Sequence, residues 1–238
     1  MRAFWWQKNN FGDTLTPFVL EAFLGETPEL ALPGEAGKIV AIGSIVYYAV
    51  PGDVVWGAGT NRAGTIDGKG IKYLAVRGPL TRSMIKGAVC PQVYGDPALL
   101  LPLMYSPQIE KKYHRGILPH YVDKGLEPVL EDDELLIDIQ APWKEVIDAI
   151  LSCDEIVSSS LHGIIAAEAY GIPATWAVWS DKIRGGELKF HDYFLGTGRA
   201  AHKPGEQLPP IVGLSTIQQR LLTRLMEWRT TYQLKHSA

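Results

Sequence analysis

The chain has 238 residues, of which 46% are hydrophobic and 21% are charged, and its formal net charge is −3. This composition predicts a compact protein with an ample core and no general attraction to nucleic acid. Its two cysteines, Cys90 and Cys153, are too few and too far apart for a disulfide framework or a zinc site. The N-terminus has no secretion-signal pattern, and no stretch reaches the roughly 18 consecutive apolar residues that span a bilayer, so a cytoplasmic protein is expected.

The first part of the chain is predicted to alternate strands and helices. Short apolar runs indicate strands, and periodic apolar runs that follow polar turns indicate helices. Strands are predicted near 2–6, 39–42, 54–56, 73–76 and 92–94, and helices near 14–24 and 79–86. This alternation favours a parallel sheet that is covered on both faces.

A second round of alternation follows a polar break at 102–113. Its predicted strands lie near 116–120, 134–137, 155–157 and 174–178, and its helices near 143–152, 161–170 and 215–233. The predicted fold class is therefore α/β, with two Rossmann-like halves of parallel sheet at 1–105 and 114–200. A linker and a C-terminal helix that packs back on the first half are predicted for 201–238.

The most informative segment is 155–173, EIVSSSLHGIIAAEAYGIP, which reads as a strand, a serine turn and a helix. Ser158 to Ser160 are capping residues, so His162 is predicted in or just before the first helical turn. Unpaired backbone N–H groups and the helix dipole favour an anion at such a position. The alternative is a histidine that only caps the helix or packs on the sheet.

Two further junctions between a strand and a helix carry polar residues. Asn9 to Asp13 follow an aromatic strand, and Arg77 to Arg82 follow an apolar one, with Pro79 in the first helical turn. The arginines offer guanidinium groups to a planar anion. Asp13 is either a proton acceptor or the cap of a helix that begins at Thr14, whereas Asp96 before Pro97 is interpreted as a turn former.

Five phrases occur in this order: NNFGDTLTP, VVWGAGT, VRGPLTR, YGDPALLLP and SSSLHGIIAAEAYGIP. Together they resemble the polysaccharide pyruvyl transferases, which move pyruvate from phosphoenolpyruvate onto sugar hydroxyls as a ketal. The resemblance covers residue 2 to about residue 195. It implies a fold similar to the two-domain GT-B glycosyltransferases, with the active site between the halves. It also implies a role in exopolysaccharide or cell-surface glycan biosynthesis.

The same resemblance implies the ligands and partners. Phosphoenolpyruvate is the expected co-substrate, no further cofactor is expected, and the acceptor is a glycan or a lipid-linked oligosaccharide. Lipid-linked acceptors suggest peripheral association with a membrane glycan-assembly complex. No HxxxH motif, DxD triplet or cluster of cysteine and histidine is present, so no metal is expected.

By resemblance, His162 and Arg77 bind the donor, His162 is a candidate proton donor, and Lys189 is placed to meet phosphate. Asp13 completes the catalytic set. Replacing His162 or Arg77 by alanine is expected to lower turnover by orders of magnitude without unfolding the chain. Several family members carry arginine where this chain has Ser160, which removes one guanidinium group.

The remaining candidates follow from position, because ligands of this fold class bind at the carboxyl ends of the strands. The predicted substrate-binding residues are Asn10, Gly12, Gly57, Gly59, Thr60, Arg82, His120 and Ser160. Tight packing is the alternative for the glycines after the strand at 54–56, and likewise for His120.

Two other functions fit the sequence. A nucleotide-sugar-dependent glycosyltransferase would use the same two-halved scaffold, because fold alone does not fix function. The other is a glycan-binding relative that has lost catalysis, for which the serine at position 160 is the supporting feature.

Overall fold

The computed structural model describes residues 1–7 and 10–236, without the side chains of 235 and 236. Asn9, part of the first predicted junction, lies outside the described residues. The strands are β1 (Arg2–Phe4), β2 (Glu29–Leu30), β3 (Ile39–Val40), β4 (Val54–Trp56), β5 (Ile66–Asp67), β6 (Lys72–Ala75), β7 (Ile85–Lys86), β8 (Tyr113–Leu118), β9 (Glu134–Leu136), β10 (Cys153–Ser158) and β11 (Ala174–Trp176). The helices are α1 (Phe11–Leu24), α2 (Pro79–Met84), α3 (Leu101–Met104), α4 (Trp143–Leu151), α5 (Leu161–Ala169), α6 (Leu188–Gly196) and α7 (Leu214–His236), with 3-10 turns at Val46–Tyr48 and Pro97–Leu100.

The first sheet has the strand order β2-β1-β3-β4-β6, and all of its pairings are parallel. Ala3 in β1 pairs with Leu30 on one side and with Ile39 on the other. The direction of winding therefore reverses between β1 and β3. This order is that of the flavodoxin-like doubly wound sheets, in which ligands bind outside the strand ends at the reversal.

The second sheet repeats this arrangement with the order β11-β10-β8-β9, again with parallel pairings throughout. Ile117 in β8 pairs with Val157 on one side and with Leu136 on the other, so the reversal lies between β8 and β10. The predicted α/β class with parallel sheets is confirmed. A separate two-stranded parallel sheet joins β5 to β7. The domain boundaries stay a prediction.

The parts of the chain that carry the two sheets, called here the first half and the second half, share a hydrophobic core. That core includes Leu15 from α1, Leu99 from the turn before α3, Ile147 from α4 and Ile165 from α5. The backbone N–H of Phe11, at the start of α1, donates to the carbonyl of Ile139 in the second half (2.9 Å). The N-terminus of α1 is thus anchored to the second half.

The C-terminal helix α7 packs on the first half, as predicted, and its buried face includes Leu221 and Leu225. The indole N–H of Trp56 donates to the carbonyl of Leu221 (3.0 Å), and the side-chain amide of Gln218 donates to the carbonyl of Leu99 (2.8 Å). Among the helices that the structure describes, α7 included, none combines the length and apolar character needed to cross a bilayer.

Several elements differ from the sequence prediction, and β2, β5, β7 and α3 were not predicted at all. The strand expected at 92–94 is a single bridge between Val76 and Tyr94. The helix expected to reach residue 86 ends at Met84, because β7 pairs there with β5. Helix α6 was not predicted, although Phe190, Tyr193 and Phe194 have the apolar spacing of a helix and are buried.

Candidate functional site

The carboxyl ends of the strands at both reversals meet at one place, called here the interhalf site. The first half contributes the start of α1, the residues after β3 and β6, and Asp96. The second half contributes the residues after β8 and β10 and helix α6. The residues of the interhalf site are Asn10, Gly12, Asp13, Ser44, Arg77, Asp96, His120, His162, Lys189 and Asp192.

Gly12 and His162 form one of the contacts between the two halves. A Cβ atom added to Gly12 would lie 1.9 Å from Nδ1 of His162, far inside van der Waals contact. Each residue is the second of its helix, so the N-termini of α1 and α5 face one another. The missing side chain of Gly12 makes room for the imidazole. Its predicted contact with a ligand stays a prediction.

His162 lies in the first turn of α5, as predicted, and it is 9% exposed. Ser160 occupies the N-cap position with an extended backbone, but its side chain makes no capping hydrogen bond. The turn is held instead by Ser158, whose hydroxyl accepts from the N–H of Ser160 (3.0 Å) and donates to the carbonyl of Leu118 (2.7 Å). The strand ends of β8 and β10 are thereby joined next to the histidine.

Asp96 faces His162 from the first half. Its Oδ1 accepts from the N–H of Ala98 (3.0 Å), which confirms the interpretation as a turn former. Its other oxygen, Oδ2, lies 3.5 Å from Nε2 of His162. Both of these atoms are buried and have no other hydrogen-bond partner in the described part of the chain. Asp96 is therefore also a partner of the histidine, which sequence reasoning missed because 66 residues separate the two.

Asn10 and Asp13 form a polar pair at the start of α1. The helix begins at Phe11, so the alternative in which Asp13 caps a helix beginning at Thr14 is wrong. Asp13 lies in the first turn, and its Oδ2 accepts from the side-chain amide of Asn10 (2.9 Å). A carboxylate in this turn is stabilised by the positive end of the helix. The side-chain oxygen of Asn10 is buried and has no described partner.

Arg77 is fully buried, and fixed groups surround its guanidinium. Nη1 donates to the hydroxyl of Ser44 (2.9 Å), and Nη2 donates to the carbonyl of Thr60 (2.7 Å). A Cβ atom on Gly59 would lie 2.3 Å from Cζ of Arg77. Burial lowers the pKa of Arg77, while the negative charges of Asp192 and Asp96 oppose that shift. Gly59 thus leaves room for the guanidinium of Arg77, and the carbonyl of Thr60 accepts a hydrogen bond from it.

Asp192 connects α6 to the first half, and sequence reasoning missed it. Its Oδ1 and Oδ2 accept from the N–H (2.9 Å) and the hydroxyl (2.6 Å) of Thr81, and Nε of Arg77 lies 3.5 Å from Oδ2. A Cβ atom on Gly78 would lie 1.8 Å from the carbonyl oxygen of Asp192. The sequence could have indicated Asp192 by its position three residues after Lys189, because that spacing puts both side chains on one face of a helix.

Lys189 is 8% exposed and lies on the same helix. Burial, and then the positive charge of Arg77, lower its pKa to about 8, against the opposing charges of Asp13 and Asp123. The lysine and arginine side chains buried in the described part of the chain are Lys38, Arg77, Lys189 and Arg199. Lys38, Arg77 and Arg199 form salt bridges with carboxylates, and Lys189 takes part in none of these.

His120, which follows β8, lies beside Lys189. Burial, and then the charge of Lys189, lower the pKa of His120 to about 4. The backbone N–H of Val122 donates to Nδ1 of His120 (3.3 Å). The backbone N–H of His120 donates to the hydroxyl of Ser159 (2.9 Å). His120 is therefore neutral near pH 7, with its remaining ring proton on Nε2, where it is a hydrogen-bond donor.

Two other predicted residues lie in different surroundings. Gly57 has a φ of 88°, and a Cβ atom there would lie 2.3 Å from Cδ of Pro97, so packing explains the glycine. Nε of Arg82 donates to the carbonyl of Cys90 (2.9 Å), and the described contacts of this side chain do not reach the interhalf site. Across the residues described, no group of three or more histidine, cysteine, aspartate or glutamate side chains is arranged to hold a metal ion.

Comparison with known proteins gives two relatives. An uncharacterised protein of Acanthamoeba polyphaga mimivirus is 42% identical over 108 residues, which cover 42% of this chain and 38% of that protein. The succinoglycan biosynthesis protein ExoV of Rhizobium meliloti is 29% identical over 255 aligned positions, which cover 99% of this chain and 75% of that protein. The chain thus spans well under half the length of the first relative and about three quarters of the second.

No solved structure matches the chain, so the similarity to GT-B enzymes stays a prediction. The model of the polysaccharide pyruvyl transferase family matches residues 44–181, more than half of the 238 residues. The matched segment includes Arg77, Asp96, His120 and His162. The chain therefore belongs to the polysaccharide pyruvyl transferase family.

Proposed function

We propose that the interhalf site transfers pyruvate from phosphoenolpyruvate onto two hydroxyls of a sugar, forming a ketal. The acceptor is a polysaccharide or a lipid-linked glycan, and the process is exopolysaccharide or cell-surface glycan biosynthesis. Family membership and the similarity to a succinoglycan biosynthesis protein support this proposal. The observation that carries it is that His120 feels the charges of both His162, the partner of Asp96, and Lys189, a buried lysine with no salt bridge to a described residue.

Donor binding requires fixed positive groups, because phosphoenolpyruvate carries both a carboxylate and a phosphate. In the proposal, Lys189 contacts the phosphate, since its ammonium group forms no salt bridge with any residue that the structure describes. Arg77 supplies a permanent positive charge within the interhalf site, where Ser44 and Thr60 hold its guanidinium. The N-termini of α1 and α5 add unpaired backbone N–H groups.

The chemistry requires a proton donor and a proton acceptor. His162 delivers a proton to the methylene carbon, and the carboxylate of Asp96 stabilises the imidazolium form before transfer. A sugar hydroxyl adds to the resulting cationic carbon and gives its proton to Asp13. Phosphate then leaves toward Lys189, and a neighbouring hydroxyl closes the ketal as its proton passes to the phosphate. The products are the pyruvylated sugar and inorganic phosphate.

The decisive test is calorimetric titration with phosphoenolpyruvate and, in parallel, with a uridine nucleotide. Saturable binding of phosphoenolpyruvate is expected, and His162→Ala should abolish it. His114→Ala is the matched control, because that histidine is exposed and lies near the amino end of β8, whereas the site lies at the carboxyl ends of the strands. Binding of the nucleotide alone would favour a glycosyltransferase, and binding of neither would favour a glycan-binding relative without catalysis.

Turnover is tested by phosphate release from phosphoenolpyruvate when a glycan acceptor is added, together with the mass of the product glycan. We expect activity without an added cofactor and after prolonged chelation of metals. Loss of activity on chelation alone would contradict metal independence. Recovery of the protein with glycan-assembly membranes under low-salt washing would support peripheral association with such a complex.

A further inference from the structure

The two ring nitrogens of His162 lie in different surroundings. Nε2 is buried, and Oδ2 of Asp96 faces it at 3.5 Å. Nδ1 lies against Gly12 in α1, since a Cβ atom added to that glycine would be 1.9 Å from it. The side chain of His162 keeps 11% of its surface exposed, and the buried Nε2 contributes none of it. A ligand therefore meets the ring on a side other than the one that faces Asp96.

Asp96 presents a fixed hydrogen-bond acceptor to Nε2. Its side chain is 0% exposed, and its orientation is set by Oδ1, which accepts from the N–H of Ala98 (3.0 Å). Oδ2 has no hydrogen-bond partner in the described part of the chain. A carboxylate can only accept, so a neutral ring with its proton on Nδ1 would leave two buried acceptors facing one another. The neutral imidazole therefore carries its proton on Nε2 and its lone pair on Nδ1.

The Nδ1 side of the ring lies at the first turn of α1. Gly12 is the second residue of that helix, and the next residue, Asp13, is the proposed acceptor of the sugar proton. The side-chain amide of Asn10 holds the carboxylate of Asp13 (2.9 Å). The first backbone N–H groups of a helix attract the anionic groups of a ligand. A donor bound at this turn is beside Nδ1, whereas the buried Nε2 is closed to it.

We propose that Asp96 is a positioning residue that sets the tautomer of His162, so that Nδ1 is the atom that gives its proton to the methylene carbon. The inference rests on the proposed function, but the tautomer is measurable without any substrate. In the charged ring both nitrogens carry protons. The N–H bond at Nδ1 breaks with its electron pair left on the nitrogen, and the π electrons of the enol form the new C–H bond. Nε2 keeps its proton toward Asp96, and the proton that Asp13 takes from the sugar later restores Nδ1–H.

The tautomer is measured from long-range proton–nitrogen correlation spectra of protein labelled at its histidine nitrogens, at a pH at which His162 is neutral. His162→Gln assigns the resonances. In the unsubstituted protein we expect the proton on Nε2. Asp96→Asn keeps an oxygen for the N–H of Ala98 and turns its amide N–H groups toward Nε2, which must then accept, so the proton should move to Nδ1. A proton on Nδ1 in the unsubstituted protein, or on Nε2 in Asp96→Asn, would overturn the inference.

Asp67→Asn is the matched control for the turn. Oδ1 of Asp67 also accepts from the N–H two residues on, that of Lys69 (3.1 Å), but on the exposed surface, so the tautomer of His162 should stay unchanged. If Asp96→Asn does not fold, Asp96→Ser takes its place. A serine hydroxyl can still accept from the N–H of Ala98, while the shorter side chain lies farther from Nε2. A mixture of tautomers is expected in that variant, and a ring held wholly in the Nε2–H form would count against Asp96.

Kinetics decide whether the tautomer matters for delivery of the proton. Asp96→Asn should lower kcat by roughly 1,000-fold or more, because loss of the proton from Nδ1 then leaves Nε2–H facing another donor. KM for phosphoenolpyruvate should change much less, since Asp96 acts through His162 and does not contact the donor. An unchanged kcat would overturn the role of Nδ1. If the unsubstituted protein shows no turnover, the proposed function fails, while the correlation spectra still decide the tautomer.

Discussion

The two buried cations of the interhalf site, Arg77 and Lys189, differ in how their charges are held. Hydrogen bonds to Ser44 and Thr60 and a contact with Asp192 surround the guanidinium. The ammonium has no salt bridge among the described residues and a pKa lowered to about 8. Arginine keeps its charge when buried, whereas lysine titrates readily. Arg77 is therefore part of the folded framework, and Lys189 is available to a ligand.

The largest effect is expected from Arg77→Met. The substitution leaves Asp192 buried beside an apolar side chain, and removing one partner of a buried ion pair costs about 3–5 kcal/mol of stability. Denaturant unfolding should show this loss, together with the loss of turnover. This differs from the expectation based on sequence alone, in which folding stays intact. Unchanged stability would show that Arg77 is not part of the framework.

Lys189→Met is expected to impair catalysis without reducing stability, whereas Arg77→Met is expected to reduce both. Replacing a lysine that lacks a salt bridge with an apolar side chain relieves desolvation, so the unfolding midpoint should hold or rise. The loss of one fixed positive group at the departing phosphate should lower kcat/KM by roughly 100-fold. A stability loss as large as that of Arg77→Met would remove the distinction between the two cations.

The pH dependence of kcat/KM sharpens the same comparison. Lys189 is protonated below about pH 8 and loses its charge as the pH rises through that value, so kcat/KM should fall on the alkaline side. Lys189→Arg keeps the charge at high pH and should remove this fall, even where its absolute activity is lower. A fall that persists unchanged in Lys189→Arg would assign it to another group.

Gly12→Ala tests the contact between the halves with a smaller change. Its Cβ atom would collide with the imidazole of His162, so turnover should drop because the histidine must move away from Asp96. Gly25→Ala is a control, since that glycine has open space around it and a φ of 69°. The control should lose about 1 kcal/mol of stability and keep its kcat. Equal kcat in both variants would argue against a role for the contact.

The effect that is smallest at neutral pH concerns His120 and acid stability. The unfolded chain binds a proton at this residue near the ordinary histidine pKa of about 6.5, while the folded chain resists protonation down to about pH 4. The native state is therefore favoured fully above pH 6.5 and loses this contribution as the pH falls toward 4. His120→Gln should flatten the decline in that window, as measured by unfolding at each pH. If the stability of His120→Gln declined as steeply between pH 6.5 and 4 as that of the unsubstituted protein, the assignment of this decline to His120 would be contradicted.

Much of the fold was accessible from the sequence because its signals are local. Apolar runs between polar turns marked eight of the strands and five of the helices, and the strand end before α5 marked where His162 would lie. Lys189 was assigned by resemblance alone. The contacts of Asp96 with His162 and of Asp192 with Arg77 were not accessible, because they join distant segments through tertiary packing. The contact of Gly12 with His162 was not accessible for the same reason, since its neighbour is a side chain from the other half.

The meeting of α1 and α5 at Gly12 and His162 has an electrical consequence. Both helices direct their N-terminal peptide groups toward the same place, so their dipoles add there. This part of the potential belongs to the backbone: it does not titrate, and no exchange of side chains removes it. A chain stripped of its ionisable groups around that point would still present a weakly positive surface to an anion at every pH at which it stays folded.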